Sequence, residues 1–312
     1  MRRRPVTVLL AVLSGLLALP TLVRLVGDGG HPALVLLDVV LPYAAVPLVL
    51  LVVADLLLRR RAIAAATAVL VLVDALWLVP LYVGAAVPKG EALTVMTANL
   101  RYGYGDPFTL VRLVRTHHVD VLATEELTDQ AINDLRGAGL FAELPYSTLV
   151  PGRGPDGTGL WSRYPIVAGP EWDARFRAPG AVVQTPGGGV LVRALHAYPP
   201  VGDEPGVYDA DYARLTTLVH ALPTTDPTIV LGDFNATLDN SLLRRLMGSR
   251  LRDAAEKAGS GFQRTWGHDP GSVLLLPLDH VLVDSRVGVR GTAVFDVPRS
   301  DHDALLARLV IT

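Results

Sequence analysis

The chain has 312 residues, half of them hydrophobic, and contains no cysteine. The absence of cysteine excludes disulfides, zinc–thiolate sites and a cysteine nucleophile. Seven of the 28 basic residues and four of the 30 acidic residues precede residue 88, so the rest of the chain carries a net charge of −5. This balance argues against tight nucleic-acid binding, which usually needs a basic surface.

Three long apolar runs occupy the first 87 residues, at about 6–26, 33–58 and 62–87. A helix of roughly 20 residues crosses the ~30 Å hydrocarbon core of a bilayer, so each run is long enough to span it. The runs predict a membrane domain with three transmembrane helices over residues 1–87, followed by a second domain over 88–312. Buried helices of a soluble protein are the alternative, which the lack of a polar face disfavours.

The arginines predict how the membrane domain is oriented. Arg2 to Arg4 precede the first run, and Arg59 to Arg61 fill the turn between the second and third runs. The opposite turn, 27–32, contains Asp28 and neither lysine nor arginine. Because positively charged loops stay in the cytoplasm, the N-terminus is predicted to be cytoplasmic and everything after residue 87 to lie outside the cell membrane.

From residue 88 onward, short apolar segments are separated by Gly, Pro and Asp. The patterning predicts strands at 93–100, 119–124, 159–162, 190–196, 228–231, 278–283 and 305–311, and helices at 108–118, 128–136, 209–222 and 240–247. Residues 152–157 and 199–206 are predicted to be loops, as is at least part of 179–189. Strands with interspersed helices, rather than strict alternation, favour an α+β domain with two sheets.

Polar residues recur where the predicted strands end. They are Asn99, Glu125, Glu126, His196, Asp233, Asn235, Asp279, Asp301 and His302. Carboxylate and carboxamide oxygens are ligands that Mg²⁺ or Mn²⁺ prefers, and imidazoles beside such an ion supply an acid and a base. Any one of these fragments is more often a turn or a solvated helix start, so the prediction depends on their order along the chain.

That order resembles the endonuclease/exonuclease/phosphatase superfamily, which includes DNase I-like nucleases, sphingomyelinases and inositol-polyphosphate phosphatases. The motifs that carry the resemblance span about 210 residues and are Thr94–Asn99, Asp120–Glu126, Gly159–Pro165, His196, Gly232–Asn235, Thr265–Trp266, Leu278–His280 and Ser300–His302. The resemblance implies a four-layer αββα sandwich with one or two Mg²⁺ (or Mn²⁺) ions at the strand ends, and a phosphoric ester hydrolase activity.

The resemblance also implies metal-binding residues. Glu126 is expected to be the principal metal ligand, assisted by Asn99, with Asp301 close to the metal. Glu125 stands where the family usually has glutamine. Its carboxylate would either strengthen metal binding or point to solvent, and we favour the second.

Catalytic residues are implied in the same way. Asp233 is expected to orient the attacking water or contact metal, and Asn235 to hold the phosphate. His302 would act as general base or phosphate ligand, and His196 would stabilise phosphoryl oxygens or protonate the leaving group. Asp279 would hold one of these two histidines. His268, in the loop after Trp266, is a lesser candidate for contact with substrate.

Tethering to the membrane favours a substrate that is itself in the membrane, because it raises the effective concentration of lipid headgroups. We therefore expect a phospholipid or a polyprenyl diphosphate, with membrane lipids as partners and no obligate protein partner. Three spans before an external domain also resemble the VanJ-type teicoplanin-resistance membrane proteins, which implies a role in glycopeptide resistance. The alternatives are an extracellular nuclease or nucleotide phosphodiesterase, and a pseudoenzyme that binds a phosphorylated ligand without turnover.

Overall fold

A computed structural model describes residues 3–201, 204, 206–267 and 275–312. Its N-terminal part is helical. The helices are α1 (Arg3–Leu17), α2 (Leu19–Val26), α3 (Pro32–Asp38), α4 (Leu41–Leu57) and α5 (Arg61–Leu78), followed by a 3-10 turn at Val79–Tyr82.

Two stretches of this region, Pro5–Val26 and Arg61–Tyr82, are long and apolar enough to cross a membrane. Helices α3 and α4 meet that criterion only as a pair, and they are bent by 55° at the break between them. By length and composition the number of candidate spans is therefore two, or three if the bent pair is one span.

The predicted span over 33–58 is divided into two helices, since α3 ends at Asp38 and α4 begins at Leu41. Pro42 lies in the first turn of α4. A proline ring clashes with the carbonyl four residues earlier, here that of Asp38, and proline provides no N–H to continue the helix. The third predicted span is shorter than expected for a related reason, since the helix gives way to the 3-10 turn that contains Pro80.

The rest of the described chain forms a two-sheet α+β sandwich. Its strands are β1 (Glu91–Asn99), β2 (Val121–Glu125), β3 (Tyr146–Val150), β4 (Thr158–Ser162), β5 (Ile166–Ala168), β6 (Gly180–Thr185), β7 (Gly188–His196), β8 (Thr228–Asp233), β9 (Arg252–Asp253), β10 (Asp279–Val283), β11 (Val287–Phe295) and β12 (Ala304–Ile311). One sheet has the order β11-β12-β1-β2-β4-β3, and the other has the order β5-β6-β7-β8-β10-β9.

Helices cover the outer face of each sheet, which gives the four layers. They are α6 (Pro107–Thr116), α7 (Asp129–Ala138), α8 (Leu140–Glu143), α9 (Val207–His220) and α10 (Ser241–Met247). The short helix α11 (Ala254–Ala258) packs instead against the cluster between the sheets. Helices α6 and α7 pack on the first sheet, and α9 and α10 pack on the second. A third cluster, of mostly β-branched and small residues, fills the space between the sheets.

The sequence located most of these elements to within a few residues, but it missed β3, β5, β9 and β11. The expectation that 179–189 is a loop at least in part holds for residue 179 and for the turn at 186–187, but not for the segment between them. Residues 180–185 form β6, which pairs with β7 along its whole length. The strand itself carries Val182, Val183 and Thr185, which favour a strand, but Pro179 before it and Pro186 to Gly189 after it are turn formers that hid this short segment.

The N-terminal helices pack against the second sheet's helical layer. Asp28 accepts hydrogen bonds from the backbone N–H and the hydroxyl of Ser241, at 2.7 and 2.8 Å, in the first turn of α10. Val35 of α3 is buried in the same cluster as α9 and α10, and Arg24 forms an ion pair with Asp239. The two predicted domains are thus in direct contact, although the boundary at residue 88 stays a prediction.

Gly232 gives a test of the sandwich. Its φ of +146° lies in a region that favours glycine, and a Cβ there would overlap the carbonyl oxygen of Leu195 on the neighbouring strand. We expect Gly232→Ala to reduce the free energy of unfolding by about 3 kcal/mol or more, measured by thermal unfolding of the full-length protein in detergent. Gly291→Ala is the control, because no atom lies within 4 Å of its added Cβ. Equal midpoints for the two variants would contradict this account.

Candidate active site

The site residues lie at one end of the layer between the two sheets. β1 runs parallel to β2, with Asn99 opposite Glu125, and β7 runs parallel to β8, with His196 opposite Asp233. β10 is antiparallel to β8 and starts at the same end, where Asp279 is opposite Asp233. Because alternate strand residues point to the same face, these side chains continue the inward-facing apolar rows at the ends of their strands.

Asn99 connects the two carboxylates that the sequence placed at the centre of the site. Its amide nitrogen donates to Glu126 Oε1 at 3.2 Å and to Asp233 Oδ2 at 2.9 Å. The other Glu126 oxygen accepts from the backbone N–H of Tyr102 at 2.7 Å. The amide oxygen of Asn99 accepts from the N–H of Arg101. If the Asn99 amide were rotated so that its oxygen faced the carboxylates, its NH₂ group would meet the N–H of Arg101, and two donors would face each other. Asn99 is therefore better placed to orient Glu126 and Asp233 than to bind metal through its oxygen.

His302 Nδ1 lies 2.8 Å from Asp279 Oδ2. Asp279 therefore holds His302 and not His196. The other nitrogen, Nε2, lies 3.6 Å from Asp233 Oδ2. Burial alone would lower the pKa of His302, but the carboxylates of Asp279 and Asp233 outweigh it and raise the pKa to about 10. Without metal, His302 therefore carries a proton on both nitrogens at neutral pH.

His196 is held differently. Its Nδ1 lies 3.0 Å from the carbonyl oxygen of Pro155, which can only accept, so Nδ1 carries the proton in the neutral ring. Nε2 is then an acceptor, and Asn235 donates its amide N–H to it at 3.3 Å. The ring also contacts Phe176, with centroids 4.8 Å apart, and Nε2 lies 3.6 Å from Asp233 Oδ2.

One cleft of about 410 Å³ is lined by six of the eight predicted site residues: Glu126, His196, Asp233, Asn235, Asp301 and His302. Asn99 and Asp279 lie behind this lining and hydrogen-bond to it. The structure thus brings together every residue that the sequence singled out for the site, except His268, which lies outside the described residues. Their chemical roles stay predictions.

The donor set fits a hard divalent cation. Asp233, Asp279 and His302 offer ligand atoms that all lie within 4.8 Å of one another, and Oδ1 of Asp279 is buried without a hydrogen-bond partner. Glu126 and Asp301 add two further carboxylates to the same cleft. Against these four acidic groups stand protonated His302 and Arg101, which is 3.9 Å from Asp301. Such an excess of negative charge is what a bound cation would neutralise.

Glu125 corrects an expectation, since we favoured an orientation towards solvent. Its side chain is 0% exposed and lies between the sheets, where Thr97 donates to Oε1 at 2.9 Å. Val121 and Ala123, which precede it by four and two residues, also face this layer, so strand alternation directs Glu125 inward. Burial, with the nearby carboxylates of Asp279 and Asp233, raises its pKa well above 4.5.

Two other residues support the site and were quoted only as parts of motifs. The hydroxyl of Thr265 accepts hydrogen bonds from the N–H groups of Leu278 and Asp279, both at 3.2 Å. The hydroxyl of Ser300 donates to the carbonyl of Asn99 and accepts from the N–H of His302. Both are small hydroxyl residues outside helices and strands, and most of their partners are remote in sequence, so only the motifs could have indicated them.

The sequence model of the Endonuclease/Exonuclease/phosphatase family matches residues 96–302, which begin after the N-terminal helices. The chain therefore belongs to this family, whose members are phosphoesterases that typically use a divalent metal ion. No curated protein matches the sequence.

Solved structures share the fold. An endonuclease/exonuclease/phosphatase from Bacteroides vulgatus is 18% identical with a TM-score of 0.57, over 71% of this chain and 100% of that one. TDP2 of D. rerio, solved with a single-strand DNA product, is 15% identical with a TM-score of 0.59, over 70% and 99%. A mannosyl-6-phosphatase from Bacteroides thetaiotaomicron is 19% identical with a TM-score of 0.54, over 70% and 100%. At these identities the likeness shows the fold alone.

The buried carboxyl of Glu125 predicts a pH effect on stability. Because its folded-state pKa lies above the unfolded value near 4.5, the folded protein retains a proton that the unfolded chain releases as the pH rises, so stability falls above pH 4.5. We expect Glu125→Gln to remove this loss: its melting temperature should exceed that of the wild type at pH 7 and converge with it towards pH 4.5. Thermal unfolding in EDTA, with the exposed Glu171→Gln as control, measures this. Parallel pH profiles would refute the assignment.

Proposed function

We propose that this protein is a membrane-anchored, divalent-metal-dependent phosphohydrolase whose catalytic domain lies outside the cell membrane and acts on a lipid-linked phosphate. The observation that carries the proposal is a single cleft that combines the carboxylate–imidazole cluster with side chains of α3, next to the candidate spans. The arginine-rich turn at Arg59–Arg61 supports an external domain, because such turns remain in the cytoplasm.

We assign the metal to Glu126 and Asp301, with Asn99 orienting Glu126. Asp233, Asp279 and His302 are also close enough to hold an ion, but we give them the catalytic roles because His302 and Asp279 are bonded to each other. A bound Mg²⁺ or Mn²⁺ ion supplies electrostatic stabilisation of the phosphoryl oxygens. Asn99 also fixes Asp233 through the 2.9 Å hydrogen bond, so one amide sets the separation of the two carboxylates. This arrangement holds Asp233 in the cleft between the two imidazoles, each 3.6 Å from its Oδ2.

In the proposed reaction, Asp233 takes a proton from water as the water oxygen bonds to phosphorus and the bond from phosphorus to the leaving oxygen breaks. His302 is held by Asp279 through Nδ1, which leaves Nε2 facing the cleft beside Asp233, and it donates Nε2–H to a phosphoryl oxygen. Because Asp233 takes the proton from water in this scheme, His302 serves as phosphate ligand and not as general base. The leaving group, a lipid phosphate, takes the bonding electron pair. It does not need to be protonated by a strong acid, because the second pKa of a phosphate monoester is about 6. Asn235 hydrogen-bonds His196 and positions it beside the phosphate.

A nuclease is the competing function, and TDP2 of D. rerio was solved with DNA. Against it stands the net charge of −5 beyond residue 87, since nucleic-acid affinity comes mainly from basic side chains. The apolar part of the cleft also offers nothing to a polynucleotide backbone. Plasmid nicking by the full-length protein at moderate salt, without lipid hydrolysis, would favour the nuclease instead.

His302→Ala tests the catalytic assignment. We expect EDTA-sensitive phosphate release from undecaprenyl diphosphate to fall by about 10²–10⁴-fold, the usual contribution of such a residue, and turnover of bis-p-nitrophenyl phosphate to fall with it. His220→Ala is the matched control, because this exposed histidine bonds Leu246 on α10 and does not line the cleft. Retained activity in His302→Ala would overturn the assignment, and binding of phosphate without any turnover in the wild type would favour a pseudoenzyme.

The resemblance to VanJ-type proteins extends the proposal to glycopeptide resistance. Expression in a susceptible host should then raise resistance to teicoplanin, and Glu126→Ala should abolish the increase. Resistance that persists in Glu126→Ala would separate the phenotype from hydrolysis.

A further inference from the structure

One side of the catalytic cleft is apolar and is built partly from the membrane-associated helices. We call it the apolar wall, formed by Val35, Leu36 and Val39 from the α3 region and by Leu276 and Leu278 from the catalytic domain. Val39 packs with Leu276 and Leu278 in a small hydrophobic cluster. The wall is therefore a composite surface that exists only while α3 is docked.

The apolar wall lies close to the reacting groups. Trp266 pairs through its backbone with Leu276 on one side and with His302 on the other. Paired strands are about 5 Å apart, so the wall and the imidazole are separated by roughly two such spacings. A molecule whose phosphate contacts His302 would reach the wall with atoms roughly 10 Å from that imidazole, which is where the chain of a lipid diphosphate begins.

Leu36 is the member of the wall that the protein leaves uncovered. Val35 is 1% exposed and Val39 is 5% exposed, whereas Leu36 is 50% exposed. A water-soluble ester would leave a leucine at the entrance of a polar cleft exposed to water. A hydrocarbon chain would bury it, which is favourable because apolar surface is removed from water. Helix α3 is followed after a 55° bend by α4, and the two together form a candidate membrane span, so Leu36 lies on an element that could reach the lipid.

We propose that the apolar wall binds the hydrocarbon chain of a prenyl diphosphate, and that Leu36 sets the preference for lipid over soluble phosphate esters. The cleft of about 410 Å³ would have to take the diphosphate together with the first part of the chain, which suits the single chain of a prenyl diphosphate better than the two chains of a diacyl phospholipid. This inference rests on the proposed hydrolysis of a lipid-linked phosphate.

The test measures kcat/KM for isopentenyl, geranyl and farnesyl diphosphate, and for bis-p-nitrophenyl phosphate, with the full-length protein in lipid nanodiscs. For the wild type, kcat/KM should rise with the length of the prenyl chain. In Leu36→Gln the ratio of farnesyl diphosphate to the soluble ester should fall about tenfold or more, the usual effect of a lost apolar contact in a binding pocket. Leu36→Met keeps an apolar contact and should preserve the ratio.

Leu50→Gln is the matched control, because Leu50 is an exposed leucine of α4 that does not line the cleft. It should retain the wild-type ratio, and unfolding midpoints of all variants show whether Leu36→Gln is folded. An unchanged chain-length dependence in folded Leu36→Gln would overturn the role of the apolar wall.

Failure of the proposed function gives a different pattern. If the wild type hydrolyses bis-p-nitrophenyl phosphate but no prenyl diphosphate, the lipid substrate is wrong and the inference fails with it. Hydrolysis of phosphatidic acid in place of prenyl diphosphates, with the same dependence on Leu36, would overturn the choice of a single-chain lipid. No turnover of any ester would contradict the hydrolase itself.

Discussion

Side-chain alternation along the strands determines where the chemistry of this protein lies. Asn99, His196, Asp233 and Asp279 each continue a row of apolar side chains that fills the space between the sheets. The rows end at the same edge because β1 and β2 are parallel, β7 and β8 are parallel, and β10 starts where β8 ends. A shift of one residue in any of these strands would direct its polar end group to the helical layer instead. His280 shows this outcome, since it faces outward and bonds Asp253.

The same arrangement concentrates negative charge at a poorly solvated place. Removing carboxylates from water is costly unless hydrogen bonds or opposite charges compensate. Within the described residues, Asn99, the Tyr102 N–H and His302 compensate in part, and burial beside Asp279 raises the pKa of Glu125, which favours its neutral form. The remaining excess favours a cation. The same repulsion between carboxylates therefore lowers the stability of the metal-free protein and raises its affinity for metal.

Much of the fold and nearly all of the cluster could be predicted from the sequence, for different reasons. Strongly apolar strands such as β2 and β8 have a clear local signal. β6 is short and lies between Pro179 and Pro186, and β11 is an edge strand, so both were missed. The cluster was predicted from the order of the motifs. The orientation of Glu125 could have been read from the alternation of Val121 and Ala123. The apolar wall could not, because it depends on how α3 docks on a domain that begins some 50 residues later.

The contact between Asp28 and Ser241 has a practical consequence for biochemistry. A water-soluble fragment that starts at Pro88 would lack the carboxylate that accepts hydrogen bonds at the first turn of α10. It would also expose the side chains on α9 and α10 that now bury Val35. Truncation would thus expose an apolar surface near the cleft, which favours aggregation. It would also remove the α3 side chains that line the cleft, so the solubility and selectivity of the fragment would differ from those of the full-length protein.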